Sequence, residues 1–406
     1  MRTFGLISPI IVDGNNNIVA GHARYEAAKR LGLTLVPILR VEHLSQEELR
    51  LYAIADNRIA ERSGWDERIL AIEFQELEIA LPEISLSVSG FELPRIEVLT
   101  TSLTQTDWSD LDKVDECDPH DVPITRMGDV WIFDERHRLS CGDSTDAQVI
   151  AAVMGDDPAA LMATDAPYNL RAREYSGKGK HKHGDFKMGA GELSKDGFAA
   201  FLGSAFAAAV PHLLPGALIY SFMDHKHLGE LFAAAETNGL DRLNICVWDK
   251  GKGGMGSFYR SAHEMVCVFK LGDSPHKNRV ELGRHGRDRT NIWRYEGFNS
   301  FSKGRDRALA MHGTVKPVQM ICDLIIDSSD RNDIVFDGFG GSGTTLIAAE
   351  KMGRRARLVE LDPQYCDTII SRYFRAFGSE PIHRDLGLSY SAMRDLRTSS
   401  EGGELR

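Results

Sequence analysis

Apolar positions follow two rhythms along this chain. Near the start, residues 9–12, 18–20 and 35–41 are short β-branched and aliphatic runs that predict strands, the first two joined by a turn at Asp13-Gly14-Asn15. Between them, residues 22–31 place Ala27, Ala28 and Leu31 on one helical face, and Gly32 stands where such a helix ends. Ser45-Gln46-Glu47-Glu48 is a capping-box pattern that opens another helix, and residues 66–77 predict a third. Further along, apolar runs at 130–133, 159–163, 217–222, 243–248, 265–270, 333–337 and 356–360 predict strands. Helical spacing falls between several of them, at 197–213, 226–238, 317–328 and 344–352. This alternation predicts an α/β architecture with a mostly parallel sheet. Residues 96–124, rich in Thr, Ser and Asp without a steady period, predict a linker. The expected organisation is a small α/β domain over 1–95, a linker over 96–124, a larger domain over 125–385 and a flexible tail over 386–406.

Composition changes this picture little. The 406 residues are 42% hydrophobic and 26% charged, an ordinary globular balance for two or three domains. No apolar run is long enough for a transmembrane helix, and the first residues lack the order of a signal peptide. The six cysteines are scattered, which fits a reduced, cytoplasmic setting. His181, His183, His225 and His227 lack supporting carboxylate or Cys ligands, so no metal is expected. Net charge is −11, which by itself argues against a nucleic-acid partner. Phosphate contacts are local, however. Residues 171–187 carry a formal net of +4, and residues 277–307 are rich in Arg.

Two segments carry chemistry. Residues 333–337 form an apolar strand ending in Asp337, Gly338 to Gly343 form a glycine-rich turn, and a helix follows. That arrangement brings backbone close to a ligand at a helix N-terminus. The next strand ends in Glu360, whose carboxylate can hold ribose hydroxyls. Gly338, Gly340 and Gly343 also satisfy a dinucleotide fingerprint. With about 50 residues after Gly353, the rest of the sheet must come from upstream, and Asp337 suits an ammonium better than a pyrophosphate. The second segment is an apolar strand ending in Asp165-Ala166-Pro167-Tyr168. A nucleobase amine is a weak nucleophile, because its lone pair is delocalised. The Asp165 carboxylate and the Ala166 carbonyl are acceptors suited to its two N–H bonds. Pro167 holds Ala166 extended, and Tyr168 offers a face for an extruded base.

In these motifs residues 126–380 resemble the beta class of amino-methylating DNA methyltransferases, in which the catalytic motif precedes the cofactor motif. Ala166 stands where that family has the first proline of Asp-Pro-Pro-Tyr, and Gly338 replaces the proline of Asp-Pro-Phe-x-Gly-Ser-Gly-Thr-Thr. The resemblance implies a Rossmann-like sheet and S-adenosyl-L-methionine as cofactor. Its binding residues would be Asp143, Thr314, Lys316, Asp337, Phe339, Gly340, Ser342, Gly343, Thr344 and Glu360. It further implies double-stranded DNA as partner, with adenine favoured over cytosine-N4 because Asp165 opens the catalytic motif. Cytosine-C5 chemistry is disfavoured, since no Pro-Cys pair occurs. Lys250, Lys252 and Arg260 are expected to meet phosphates, and Phe258 or Tyr259 to stack or wedge. Residues 279–307 are the expected target-recognition stretch.

Gly21-His22-Ala23-Arg24 and Ala55-Asp56-Asn57-Arg58 resemble ParB-like or sulfiredoxin-type domains, here expected to lack the first strand of that pattern. The resemblance implies a bacterial, phage or prophage setting, a restriction-modification context and a DNA-positioning role for this domain. A homodimer stays open, as does a DNA-binding module with an inactive methyltransferase domain.

Overall fold

The computed structural model describes residues 1–62, 65–81, 83–103, 108–114, 122–169, 191–251, 259–280, 282, 289–296 and 315–401. The chain divides into two units, Met1–Gln105 and Thr106–Arg406.

In the first unit, β1 (Ile10–Val12), β2 (Ile18–Ala20) and β3 (Ile38–Arg40) form a three-stranded sheet in the order β2-β1-β3. Asp13 closes the β1–β2 turn by accepting from the backbone N–H groups of Asn15 and Asn17 at 2.9 and 2.8 Å. Helix α1 (His22–Arg30) crosses to the parallel partner β3. The capping box forms: Ser45 N–H donates to Glu48 at 2.7 Å and Glu48 N–H to the Ser45 hydroxyl at 3.2 Å, starting α2 (Gln46–Arg62). Helices α3 (Glu67–Ala80) and α4 (Leu93–Leu103) bury Ala71, Phe74, Ile96 and Leu99 between them. The segment expected to begin a linker is therefore helical here, because Ile96 and Leu99 complete this small core.

The second unit opens with α5 (Trp108–Leu111), β4 (Val130–Phe133), β5 (His137–Cys141), α6 (Ala147–Met154) and β6 (Ala159–Thr164). Then come α7 (Lys195–Ala209), β7 (Leu213–Met223), α8 (Leu228–Thr237), β8 (Leu240–Asp249), β9 (His263–Leu271) and β10 (Ile292–Arg294). The unit ends with α9 (Val318–Ser328), β11 (Ile334–Asp337), α10 (Thr344–Lys351), β12 (Arg355–Glu360), α11 (Pro363–Phe377), β13 (Ile382–His383) and α12 (Tyr390–Glu401). Ten described strands form one sheet in the order β10-β8-β9-β7-β6-β11-β12-β5-β4-β13. The central five, β7 to β5, are parallel, while antiparallel pairs flank them. The sheet is thus more mixed than its central apolar runs imply.

Strand β6 is buried along its whole length, as a central parallel strand must be. Leu161 and Ala163 face a core shared with α9, α10 and α11, and Met162 faces the opposite core with α6, α7 and α8. Helices thus cover both faces. The chain leaves β6 toward β7 on one side and leaves β11 toward β12 on the other. Between β6 and β11 the connections diverge, and the crevice outside their carboxyl ends is where such sheets bind ligands.

The end of the chain differs from expectation. Residues 386–406 read as a polar, frayed tail, yet α12 packs Met393 into the core, and Tyr390 lies edge-on to Trp131 at 5.4 Å. Arg397 donates to both oxygens of Asp129, at 2.6 and 3.0 Å. Tyr390, Met393 and Arg397 recur at helical spacing, so a narrow inward stripe suffices to dock an otherwise polar helix. Met393→Ala is expected to lower stability in urea unfolding by about 2–3 kcal/mol, whereas Leu396→Ala on the exposed face changes it by less than about 0.5 kcal/mol.

Candidate active site

Four parallel neighbours, β5, β12, β11 and β6, point their carboxyl ends the same way, and each end carries an acid. Asp143 follows β5, Glu360 and Asp337 close β12 and β11, and Asp165 follows β6. Residues far apart in sequence thus meet along one edge because of strand order alone.

At the β6 end lies a buried ionic cluster. The Lys316 ammonium, 5% exposed, donates to Asp165 Oδ2 at 2.5 Å and lies 3.3 Å from Glu264 Oε2. The Tyr168 hydroxyl is 2.7 Å from Asp165 Oδ1 and 3.2 Å from Glu264 Oε2. Lys250 forms a close ion pair with the other oxygen of Glu264 and lies 4.7 Å over the Trp248 ring. Burial raises the Asp165 pKa above the usual carboxylate range against the pull of Lys316. Burial would raise Glu264 too, but two lysines hold it below its ordinary value. Lys316 is pushed up by the two carboxylates despite its burial. Burial and the same two acids push Tyr168 well up, so it stays a phenol.

The glycine turn is built differently from expectation. A Cβ on Gly340 would lie 3.3 Å from Ile369 and Leu358, and one on Gly343, at φ +82°, would lie 3.0 Å from Ile369. These two glycines admit α11 and β12 against the turn; their missing side chains make room for protein. Arg372, fully buried on α11, donates to the Ser342 carbonyl at 2.8 Å and to the Ser342 and Thr344 hydroxyls at 3.1 Å. Phe339 lies edge-on to Phe201 at 5.9 Å. Asp337 accepts from Thr345 at 2.6 Å and from the Phe339 N–H at 3.0 Å. Glu360 accepts the N–H groups of Gly341 and Asp362 at 2.7 and 2.8 Å. Asp143 accepts from the Thr145 N–H and hydroxyl, both at 2.8 Å.

Burial pushes Asp337 and Glu360 each up to about 7, and no cationic side chain among the described residues pairs with either. Two buried acids without cations suit a ligand that brings an ammonium, a sulfonium and a diol, so the residues present fit S-adenosylmethionine.

The residues expected from sequence to be catalytic, Asp165 to Tyr168, lie at the carboxyl end of β6. Ala166 is buried in the α7-side core, with Pro167 and Tyr168 partly covered. Lys316, expected at the cofactor, pairs with the Asp165 carboxylate. Lys250, expected on DNA phosphate, is turned inward to Glu264, because an unpaired buried carboxylate would be costly. Tyr259, 82% exposed, and Arg260 remain at the surface. Arg279 and Arg289, in the expected recognition stretch, are tied to acids: Arg279 to Asp330, and Arg289 to Asp323 at 3.1 Å and Asp327 at 2.9 Å. Thr314, Lys252, Phe258, the basic run 171–187 and much of 279–307 lie outside the described residues.

Sequence reasoning missed Glu264, Arg372 and Asn169. Asn169 adopts a left-handed backbone (φ 52°), and its side chain accepts from Gly191 and Leu193 at 3.1 and 3.2 Å. Its position directly after Tyr168 was the one available signal.

The signature of the family described as DNA methylase matches residues 159–371, more than half of the chain, and that of the ParB N-terminal domain matches residues 1–58. The type II methyltransferase M2.MboI of Moraxella bovis is 24% identical over 37% of this chain and 56% of its own length. The type II methyltransferase M.HpaI of Haemophilus parainfluenzae is 24% identical over 51% of this chain and 65% of its own. The chain spans between half and two thirds of the first curated relatives it matches. Among solved structures, the cytosine-N4-specific PvuII DNA methyltransferase covers 68% of this chain and 94% of its own, at 17% identity and a TM-score of 0.45.

The two acids at about 7 set a pH dependence. Their pKa values are raised by folding, so the unliganded fold gains protons and stability as pH falls through 7 and carries uncompensated charge above it. A cationic ligand should therefore bind best above that point. S-adenosylmethionine affinity, measured calorimetrically, is expected to fall as pH drops from about 8 to about 6, and Asp337→Asn should weaken binding at the upper end and flatten the dependence.

Proposed function

The chain belongs to the DNA methylase family, and on that footing we propose that it transfers a methyl group from S-adenosylmethionine to the exocyclic amine of a base in double-stranded DNA, adenine in preference to cytosine. The observation that carries this reading is the meeting of Asp165 with the acid-lined glycine turn across the crevice between β6 and β11. When bound, S-adenosylmethionine supplies a methyl group on a positively charged sulfur, which an amine can attack directly.

The protein's part is to make a poor nucleophile better. Asp165 accepts a hydrogen bond from the amine and takes the proton that the amine must lose; its raised pKa suits it to both. Lys316 and Tyr168 hold both carboxylate oxygens in place before the base arrives. The Ala166 carbonyl is the second acceptor, and the Tyr168 ring is the surface for an extruded base. Ala166 leaves that carbonyl in place where relatives have proline, since Pro167 still restricts the backbone before it. In the first unit, the ParB N-terminal domain serves to position DNA.

The test is transfer of labelled methyl groups to unmethylated genomic DNA, with the product base identified by mass spectrometry. Methyladenine is expected. Asp165→Ala should reduce turnover by roughly a hundred-fold or more while leaving S-adenosylmethionine affinity largely intact. Methylcytosine would keep the chemistry and change the base. No transfer despite intact cofactor binding would overturn the enzymatic reading in favour of a DNA-binding module.

A further inference from the structure

Glu264 lies outside every motif that identified the site, yet it is 11% exposed, and both its oxygens face ammonium groups. It comes from β9, which begins at His263, whereas the ladder between β9 and β7 begins at the Met265–Met223 pair. Glu264 therefore stands past the end of β7 and reaches the cluster at the end of β6. Two acids, Asp165 and Glu264, balance two lysines, Lys316 and Lys250. A buried cluster of this kind persists only when its charges balance and its lone pairs are engaged.

We propose that Glu264 is a positioning residue for the methyl-transfer step: by sharing the Lys316 ammonium with Asp165, it keeps the Asp165 carboxylate basic enough to accept the proton of the target amine. The proposal rests on the methyltransferase reading above. Without Glu264, the whole charge of Lys316 would fall on Asp165 at 2.5 Å. An oxygen so neutralised draws less strongly on the hydrogen of an incoming amine. With Glu264 present, the ammonium has a second anion 3.3 Å away and can move toward it as the amine engages Asp165. The Tyr168 hydroxyl spans the same two acids, so its single proton can turn to Glu264 and free Asp165 Oδ1 for the amine. Lys316 and Lys250 together hold the Glu264 carboxyl below its ordinary range, and Lys250 stays with it if the Lys316 ammonium shifts. The proton balance is simple: the nitrogen–methyl bond forms, the sulfur–methyl bond breaks, and the amine proton passes to Asp165 and then to solvent.

The described groups that act on Asp165 are Lys316 from the segment before α9, Glu264 from β9, Tyr168 from its own loop, and Asp337 from β11, with Lys250 behind Glu264. Of the two neighbouring acids, only Glu264 contacts Lys316 and Tyr168, so its removal has a defined sign. Glu264→Gln should lower the Asp165 pKa, read from the carboxyl carbon resonance assigned through Asp165→Asn. The acid limb of the kcat profile should move to lower pH in step, and kcat should fall about ten- to hundred-fold with S-adenosylmethionine affinity unchanged. Glu264→Asp keeps the charge and should hold the Asp165 pKa near that of the native protein, which separates electrostatics from packing. An Asp165 titration unmoved in Glu264→Gln, or turnover at the native rate, would overturn the proposal. If the native protein transfers no methyl group, the methyltransferase reading fails, and with it the catalytic role of Glu264; the Asp165 titration still decides whether the two acids are coupled.

Discussion

The Lys316 ammonium is the interaction on which the site depends. It sits almost without solvent between Asp165 and Glu264, with the rings of Phe222 and Tyr168 at 5.2 and 5.5 Å. Such an ion pair is a poor source of stability, because desolvating both partners offsets most of their attraction. What it supplies is position. Asp165 is held by Lys316 from a distant segment and by Tyr168 from its own loop before any substrate arrives, so in the proposed reaction its orientation costs nothing at the moment of transfer. Its side chain keeps 23% exposure, through which the proposed reaction would bring a base to it.

The glycine turn shows a comparable division of labour. Its glycines are spent on packing, since Gly340 and Gly343 let Ile369 and Leu358 approach the backbone. Its shape is held from behind by Arg372, and its ligand chemistry lies in the acids on either side. A Cβ added at Gly338 would meet only ordinary contacts from Ser144 and Phe336, so space does not require glycine there as it does at Gly340 and Gly343. The same α11 that closes the turn with Ile369 and Arg372 begins at Pro363, directly after the Glu360 strand. One short stretch of chain therefore sets both the turn and the acid facing it.

Much of this was legible because it is local. The buried strands of the central sheet announce themselves as apolar runs, and Asp165, Asp337 and Glu360 stand at strand ends where a sequence pattern can find them. Strand β5 and helices α6 and α11 were harder: His137–Cys141 is short and mixed, and α11 mingles Arg372, Asp367 and Thr368 with its apolar face. Arg372 and Asp367 are buried because each has a partner far away in sequence, as Asp367 does with Thr125 at 2.6 Å, while Thr368 donates within its own helix to the Gln364 carbonyl at 2.9 Å. The partners of Lys250 and Lys316 were illegible for the same reason. A lysine near a catalytic motif reads as a phosphate or cofactor ligand until the sheet order brings a second acid beside it.

Internal pairing of charges also shapes how an acidic protein meets DNA. A net charge of −11 does not say where charge is presented, because several acids and bases cancel in internal pairs: Asp323, Asp327 and Asp330 with Arg289 and Arg279, Glu264 with Lys250, Asp129 with Arg397. The same pairing removes those basic groups from any phosphate, so counting Lys and Arg along a segment misjudges its surface in both directions. At the carboxyl edge of the sheet the described residues that stay exposed include Tyr259, His225 and His263 together with the basic side chains of Lys226, Arg260 and Arg294. An edge composed this way joins an aromatic surface to cations that can meet phosphate, and the phosphate contribution is the component that salt screens.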